Sequence, residues 1–377
     1  MKLLPWWLSR WLSGNLERSS DRRLPVIQIE ITSRCQMDCV FCAHRGLKEQ
    51  WVHGDLPWEL YRDVIAPELH HFELVYLQGW GEPTLHPYLW DMLELARQAG
   101  CRTGFTTNGI RLTTDYAARL LDASVDILCI SVAGASAETH EALRVGSRFE
   151  QLVTAIEAVT RLKAQNNSDR PWLELHFLMT RMNIHELPSF VELAAGLGVD
   201  EAVATNLTYI PVPDMARLAA FHCDRLEPDY QKSLDLAYEK AQALGIQFRA
   251  YPLVKGEPVM SCDAQPLETA FINHMGWVTP CVYLGLSVKE SIPRIFCGRQ
   301  VSVAPVRFGH VSQGLMKALN SDEAEAFKAP LRKLKRATHP ALLFAALAAD
   351  TMTGQAEADH VSALPVGCQS CYKQYGL

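Results

Sequence analysis

Three cysteines carry the most legible chemistry in this sequence. They lie in the run Ile29-Glu30-Ile31-Thr32-Ser33-Arg34-Cys35-Gln36-Met37-Asp38-Cys39-Val40-Phe41-Cys42, in C-x3-C-x2-C spacing directly after a β-branched stretch. A structural zinc site normally takes four N/S ligands in paired spacing. Three thiolates on one short loop leave a position open. On a [4Fe–4S] cluster this means that one iron lacks a protein ligand. Such an iron can bind a small molecule through its amine and carboxylate.

A second group follows far along the chain. Cys262 precedes the segment Phe271-Ile272-Asn273-His274-Met275-Gly276-Trp277-Val278-Thr279-Pro280-Cys281, which reads as a hairpin with a Gly turn. The chain ends with Cys368-Gln369-Ser370-Cys371 and a short tail. Four thiolates would close a site fully, for zinc or for a fully ligated iron–sulfur cluster. These two alternatives stay open on spacing alone. Cys223 and Cys297 have no assigned partner, and Cys101 and Cys129 read as small core residues in or beside strands.

Polar residues recur at the ends of short β-branched runs. One run is followed by Gly79-Trp80-Gly81-Glu82-Pro83. Glycines permit close backbone approach to a ligand, and Glu82 offers a carboxylate to an ammonium group. Others end in Thr106-Thr107-Asn108-Gly109 and in Ser131-Val132-Ala133-Gly134. In the run 173–179 the two-residue period puts Glu174, His176 and Leu178 on one face. That polar face should look toward substrate, so His176 and Glu174 are the catalytic candidates, with a satisfied structural pair as the alternative.

The elements that position these groups alternate. Strands are expected at 26–32, 74–78, 103–107, 127–132, 173–179 and 202–207. Helical patterns lie between them at 88–99, 114–123, 149–164 and 185–197. Strand–helix alternation implies parallel βα units, hence an α/β fold: a partial (β/α)6 TIM-like barrel with its chemistry at the C-terminal strand ends. The expected division is an N-terminal segment 1–24, a barrel core 25–220, a linking helix and strand 221–254, and a smaller C-terminal iron–sulfur module 255–377. The linking helix spans 222–246, and an Ala-rich helical section at 321–350 reads as an insertion between cysteine groups.

The first cysteine motif resembles that of the radical S-adenosylmethionine (SAM) superfamily. In that family the open iron chelates the methionine end of SAM. The segment Gly79–Glu82 is similar to the family's GGEP motif, with Trp80 in place of a glycine. The resemblance implies that Gly79, Gly81 and Glu82 cradle the SAM amino group. It also implies that Phe41 lies beside the adenine and Ser131 near the ribose, with Asn108 and Arg144 as further cofactor candidates. Ala133 departs from the family pattern, where Asp is common. The second cysteine group resembles the SPASM/twitch extension, which carries auxiliary [4Fe–4S] clusters. Four cysteines fit the single-cluster variety. The ligand sets implied are Cys35, Cys39 and Cys42 for the SAM-binding cluster, and Cys262, Cys281, Cys368 and Cys371 for the auxiliary one.

The implied activity is reductive cleavage of SAM to a 5′-deoxyadenosyl radical, which abstracts a substrate hydrogen atom, with the auxiliary cluster accepting an electron. Maturation or oxidative modification of a peptide, protein or cofactor is the expected role, and dehydrogenation of a small alcohol is the alternative. A non-enzymatic electron-transfer or scaffold protein would need neither an open iron nor the Gly79–Glu82 cradle. A reductant such as ferredoxin or flavodoxin is the implied partner. With Cys35 so near Met1, no peptide-binding domain is expected to precede it.

Composition bounds these readings. The 377 residues are 48% hydrophobic and 21% charged, with net charge -6, so a globular core is expected and a nucleic-acid partner is not. No apolar run is long enough to span a bilayer. An odd count of 11 cysteines, with no secretory segment, argues for metal ligation in a reducing cytoplasm over a disulfide framework. Trp6, Trp7 and Trp11, followed by arginines, suggest a short amphipathic helix within 1–23. It would pack on the protein's own surface or, as the sharper alternative, on a membrane surface or a partner.

Overall fold

The computed structural model describes residues 23–259, 262–337 and 364–377. The Trp-rich N-terminal segment therefore lies outside the described residues, as does the part of the Ala-rich section beyond residue 337.

Six expected strands form, displaced by no more than two residues at each start. They are β1 (Leu24–Ile29), β2 (Phe72–Leu77), β3 (Arg102–Thr107), β4 (Ile127–Val132), β5 (Trp172–Met179) and β6 (Glu201–Asn206). Neighbours pair parallel and in sequence order, with β7 (Gln247–Ala250) added beside β6. Helices α1 (Leu89–Gln98), α2 (Thr114–Asp122), α3 (Ala137–Leu143), α4 (Phe149–Gln165) and α5 (Leu187–Gly196) return the chain between strands. The periodicity explains their seating. α1 buries Leu89, Met92, Leu93 and Ala96, spaced to fall on one helical face. α4 does the same with Leu152, Ala155, Ile156 and Val159.

The linking helix α6 runs Pro228–Leu244, shorter than the expected 222–246. Pro228 explains the late start, since proline lacks an N–H and suits the first helical turn. The residues before it are held extended instead: His222 N–H donates to Leu253 O at 2.9 Å.

The C-terminal region joins the same sheet. β8 (Thr269–Ile272) pairs parallel with β1, and β9 (Trp277–Thr279) and β12 (Gly309–His310) add antiparallel beyond it. The expected Gly-turn hairpin is thus present as β8 and β9, with Gly276 at φ 82°. A second hairpin, β10 (Ile292–Phe296) with β11 (Arg299–Val303), was not expected from the sequence. Its turn residues Cys297 and Gly298 both have positive φ, 45° and 77°. Asn-Gly or Asp-Gly would have marked such a turn; Cys-Gly does not. A further helix, α7 (Asp322–Ala337), falls inside the expected helical section.

The ten-stranded sheet has β12 and β7 as its two edges. Among the described residues no helix is long and apolar enough to cross a membrane.

Candidate active site and second cysteine centre

The C-terminal ends of β1 to β6 open into one cavity of about 300 Å³. Its wall contains Cys35, Cys39 and Cys42 from the loop after β1, Gly79 to Glu82 after β2, Asn108 after β3, and Ser131, Arg144 and His176. Phe41 lies there too. The sequence-expected groups meet because parallel strands share one polarity, so every loop leaves on the same side.

The cysteine loop is fixed from both flanks. Asp38 N–H donates to Val145 O and Val40 N–H to Leu143 O, each at 3.0 Å. Glu82 N–H donates to Arg34 O at 2.8 Å and ties the glycine loop to it. A Cβ on Gly81 would lie 2.2 Å from Thr32 O, and one on Gly79 would lie 2.3 Å from the Glu30 side chain. Both glycines are therefore required by close approach. Burial raises the Cys35 and Cys39 thiols, and pushes Cys42 up to about 12. The Arg144 guanidinium opposes this for all three. Such thiols stay protonated until a metal displaces the proton.

Glu82 is buried and heavily used. Its Oε1 accepts from the Thr84 and Thr107 hydroxyls, each at 2.7 Å, and from Thr84 N–H at 3.2 Å. Among the described residues Oε2 accepts only Asn108 N–H, at 2.7 Å, and so retains accepting capacity. Burial raises the carboxyl, and these donors counter it. Asn108 Nδ2 reaches toward Cys35 Sγ at 3.7 Å and Gln36 Oε1 at 3.3 Å. Arg144 is 7% exposed, and its Nε has no partner among the described residues. An unpaired buried donor costs about 1–3 kcal/mol, so a ligand acceptor is the natural complement.

On β5, Glu174 and His176 point to the polar side as the period required. His176 Nε2 and Glu174 Oε2 are 2.7 Å apart, and Cys129 Sγ donates to the same oxygen at 3.2 Å. Burial would raise the Glu174 carboxyl, but His176 and Arg249 together hold it below the ordinary value. His176 reaches the cavity, and Glu174 lies behind it.

The second centre is separate. Cys262, Cys281, Cys368 and Cys371 converge on one small enclosed cavity. Arg294 clamps the segments that carry them, donating to Gly367 O at 2.6 Å and Tyr283 O at 2.9 Å. Burial and the neighbouring thiols push Cys281 up to about 11, and they raise Cys262 and Cys368 further. Cys223 and Cys297, left without a role by the sequence, pair with each other as a disulfide. This departs from the expectation of metal ligation without disulfides. The physical cause is the β10–β11 turn, whose tip carries Cys297 to Cys223 across a separation of 74 residues.

A comparison against protein families covers the first cysteine loop and the strands β2 to β5. Residues 29–194 match the family described as the Radical SAM superfamily. Residues 29–194 of this chain thus form a radical SAM domain, and the chain is an enzyme. Among radical SAM relatives is the tungsten-containing aldehyde ferredoxin oxidoreductase cofactor-modifying protein of Pyrococcus furiosus. It is 25% identical over 298 residues, covering 77% of this chain and 79% of the relative. The mycofactocin maturase MftC of Mycobacterium ulcerans is 32% identical over 170 residues, 45% of this chain and 44% of that protein. Among solved structures, Streptococcus suis SuiB bound to S-adenosylmethionine superposes with a TM-score of 0.60. That match is at 12% identity and covers 85% of this chain and 76% of SuiB, so it shows the shared radical SAM fold.

Sequence reasoning missed four contributors to the radical SAM site. Glu30 is fully buried and accepts Trp80 N–H at 2.9 Å and the Ser287 hydroxyl at 2.8 Å. Asn206, Tyr209 and Tyr283 join the cavity wall. The β6 end follows the same rule as the other strand ends and could have flagged Asn206. The other contacts bridge long sequence separations, for which no local signal exists.

Proposed function

We propose that this radical SAM enzyme oxidatively modifies a peptide, protein or cofactor, using a SAM-binding [4Fe–4S] cluster at Cys35, Cys39 and Cys42 and an auxiliary cluster at Cys262, Cys281, Cys368 and Cys371. The observation that carries this reading is the contrast in ligand number between two separate cavities, three thiols in one and four in the other. The names of the relatives, a cofactor-modifying protein and a maturase, support the substrate range.

When bound, the cluster and SAM supply one-electron chemistry that removes a hydrogen atom from an unactivated C–H. The chain's own residues hold and shield these groups. Glu82 Oε2 has capacity for the SAM ammonium, and the unpartnered Arg144 Nε for its carboxylate. Asn108 and Ser131 add polar contacts, and Phe41 an apolar one. His176, backed by Glu174, accepts a proton as the substrate is oxidised. A reductant such as ferredoxin or flavodoxin supplies electrons.

Anaerobic reconstitution tests this directly. Roughly eight irons per chain, SAM binding and 5′-deoxyadenosine formation under dithionite are expected. Zinc in the four-cysteine site, with iron for only one cluster, would overturn the auxiliary assignment.

A further inference from the structure

Trp80 is the residue of the glycine loop that close approach does not explain. Gly79 and Gly81 are pressed against Glu30 and Thr32, yet the residue between them turns a large ring into the cavity. That ring lies 5.3 Å from Tyr209 and 6.0 Å from Tyr283, centroid to centroid. Each of the three has its polar atom tied to protein. Trp80 Nε1 donates to Val282 O at 3.2 Å, the Tyr209 hydroxyl donates to Pro293 O at 3.0 Å, and the Tyr283 hydroxyl meets Thr208 Oγ1 at 3.1 Å. With those ends tied to protein, what the wall chiefly offers a ligand is ring surface.

The polar counterpart comes from β6. Asn206 is 3% exposed and lines the same cavity. Its Nδ2 donates to Pro252 O at 2.8 Å, which fixes the amide, but its Oδ1 has no partner among the described residues. Buried acceptors in native proteins are almost always satisfied, so a ligand donor is the missing group. On the reading above, the SAM ammonium is met by Glu82 and the ribose by Ser131, so neither of these donors is assigned to Asn206.

We propose that the part of the cavity walled by Trp80, Tyr209 and Tyr283 binds a planar aromatic group of the substrate, and that this group carries an N–H or O–H donor received by Asn206 Oδ1. Aromatic faces favour a ring over an aliphatic chain of equal area, by edge-to-face or offset stacking. The orphan acceptor then separates a donor-bearing ring from a bare one. This inference rests on the reading of the cavity as the site of substrate oxidation.

Three small probes test it: N-acetyl-L-tyrosinamide, N-acetyl-L-phenylalaninamide and N-acetyl-L-leucinamide. Each is titrated calorimetrically into cluster-loaded enzyme with SAM present. The tyrosine amide should bind about tenfold tighter than the leucine amide, with the phenylalanine amide between them. Trp80→Leu should reduce the aromatic preference to about threefold or less. Asn206→Leu should erase the tyrosine-over-phenylalanine preference and keep the aromatic-over-leucine one. Tyr209→Leu, which lies outside the glycine loop, reports on the wall if Trp80→Leu does not fold, and should also lower the preference. Equal binding of the three probes, no binding of the tyrosine amide at millimolar concentration, or a preference that survives both wall variants would overturn the proposal. Formation of 5′-deoxyadenosine by the wild-type enzyme separates the two readings. Its absence removes the oxidative assignment as well, whereas its presence with indifferent probe binding removes only this one.

Discussion

The three-cysteine loop and the four-cysteine centre differ in how they are assembled. The first is a single eight-residue stretch on the wall of an open cavity, its thiols delivered by one strand end. The second gathers thiols from three separated segments around a small enclosed space, held by Arg294. A local site can expose a ligand position because its backbone is braced from outside, here by Leu143, Val145 and the glycine loop. A dispersed site exists only when the chain around it is folded. On the proposed assignment, the difference teaches that the first centre would admit a ligand, while the second would exclude one and join distant segments.

The strongest way to break this contrast is to remove each centre in turn. Replacing Cys35, Cys39 and Cys42 together by Ala should abolish 5′-deoxyadenosine formation and leave about half the iron, as read by chromatography and iron analysis. Replacing Cys368 and Cys371 by Ala should lower product formation far more than SAM cleavage. It should also lower the melting temperature, because a metal that joins segments contributes to folding. A folded double variant that still turned over substrate at the wild-type rate would make the second centre a clip and nothing more.

The next largest effects lie in the brace. Gly81→Ala forces a methyl against Thr32 O and should cost about 1–3 kcal/mol of stability. It should weaken SAM binding as well, measured by calorimetry. Arg144→Leu should weaken SAM binding by about tenfold or more without loss of iron, since it removes a charged donor and no thiol. Undiminished affinity would take Arg144 out of the site.

Smaller effects sharpen the boundary of the two centres. Cys223→Ser with Cys297→Ser should leave the iron content unchanged, since these sulfurs bond to each other. His140 is wholly buried, with Nδ1 accepting from Ala133 N–H at 3.4 Å and Nε2 at 3.0 Å from Ser147 Oγ. Burial and the charge of Arg144 hold its pKa down to about 3. The unfolded chain, at about 6.5, therefore takes up a proton that the folded chain refuses. This contribution to stability is intact above about pH 6.5 and is lost as pH falls from there toward 3. His140→Gln should flatten that part of the melting-temperature profile.

Much of the first centre was readable because its information is local. Spacing gave the thiols, and the two-residue period of β5 placed Glu174 and His176 on the inner face. Strand–helix alternation set the parallel order from β1 to β6. The second centre was readable only as a cysteine inventory. Its partner Arg294, the hairpin that carries Cys297, and the pairing of β8 with β1 all depend on contacts between residues far apart in sequence. Helix ends moved where a proline governed them, as at Pro228. The aromatic wall was hidden for a related reason: Trp80, Tyr209 and Tyr283 come from three different loops, and only the fold brings them together.

Glu30 ties these halves into one inheritance unit. Its buried carboxylate receives Trp80 N–H from the glycine loop and the Ser287 hydroxyl from the C-terminal region, with His274 Nδ1 at 3.2 Å. A chain cut after residue 254 would lose Ser287 and His274, leaving that carboxylate short of partners beneath the loop that faces the cavity. Nor could the C-terminal region be exchanged for another as an independent cassette, because a graft without a serine and histidine at those places would leave the same buried carboxyl group short of partners. A workable chimera would therefore have to change both sides of this contact together, along with the β1–β8 pairing beside it.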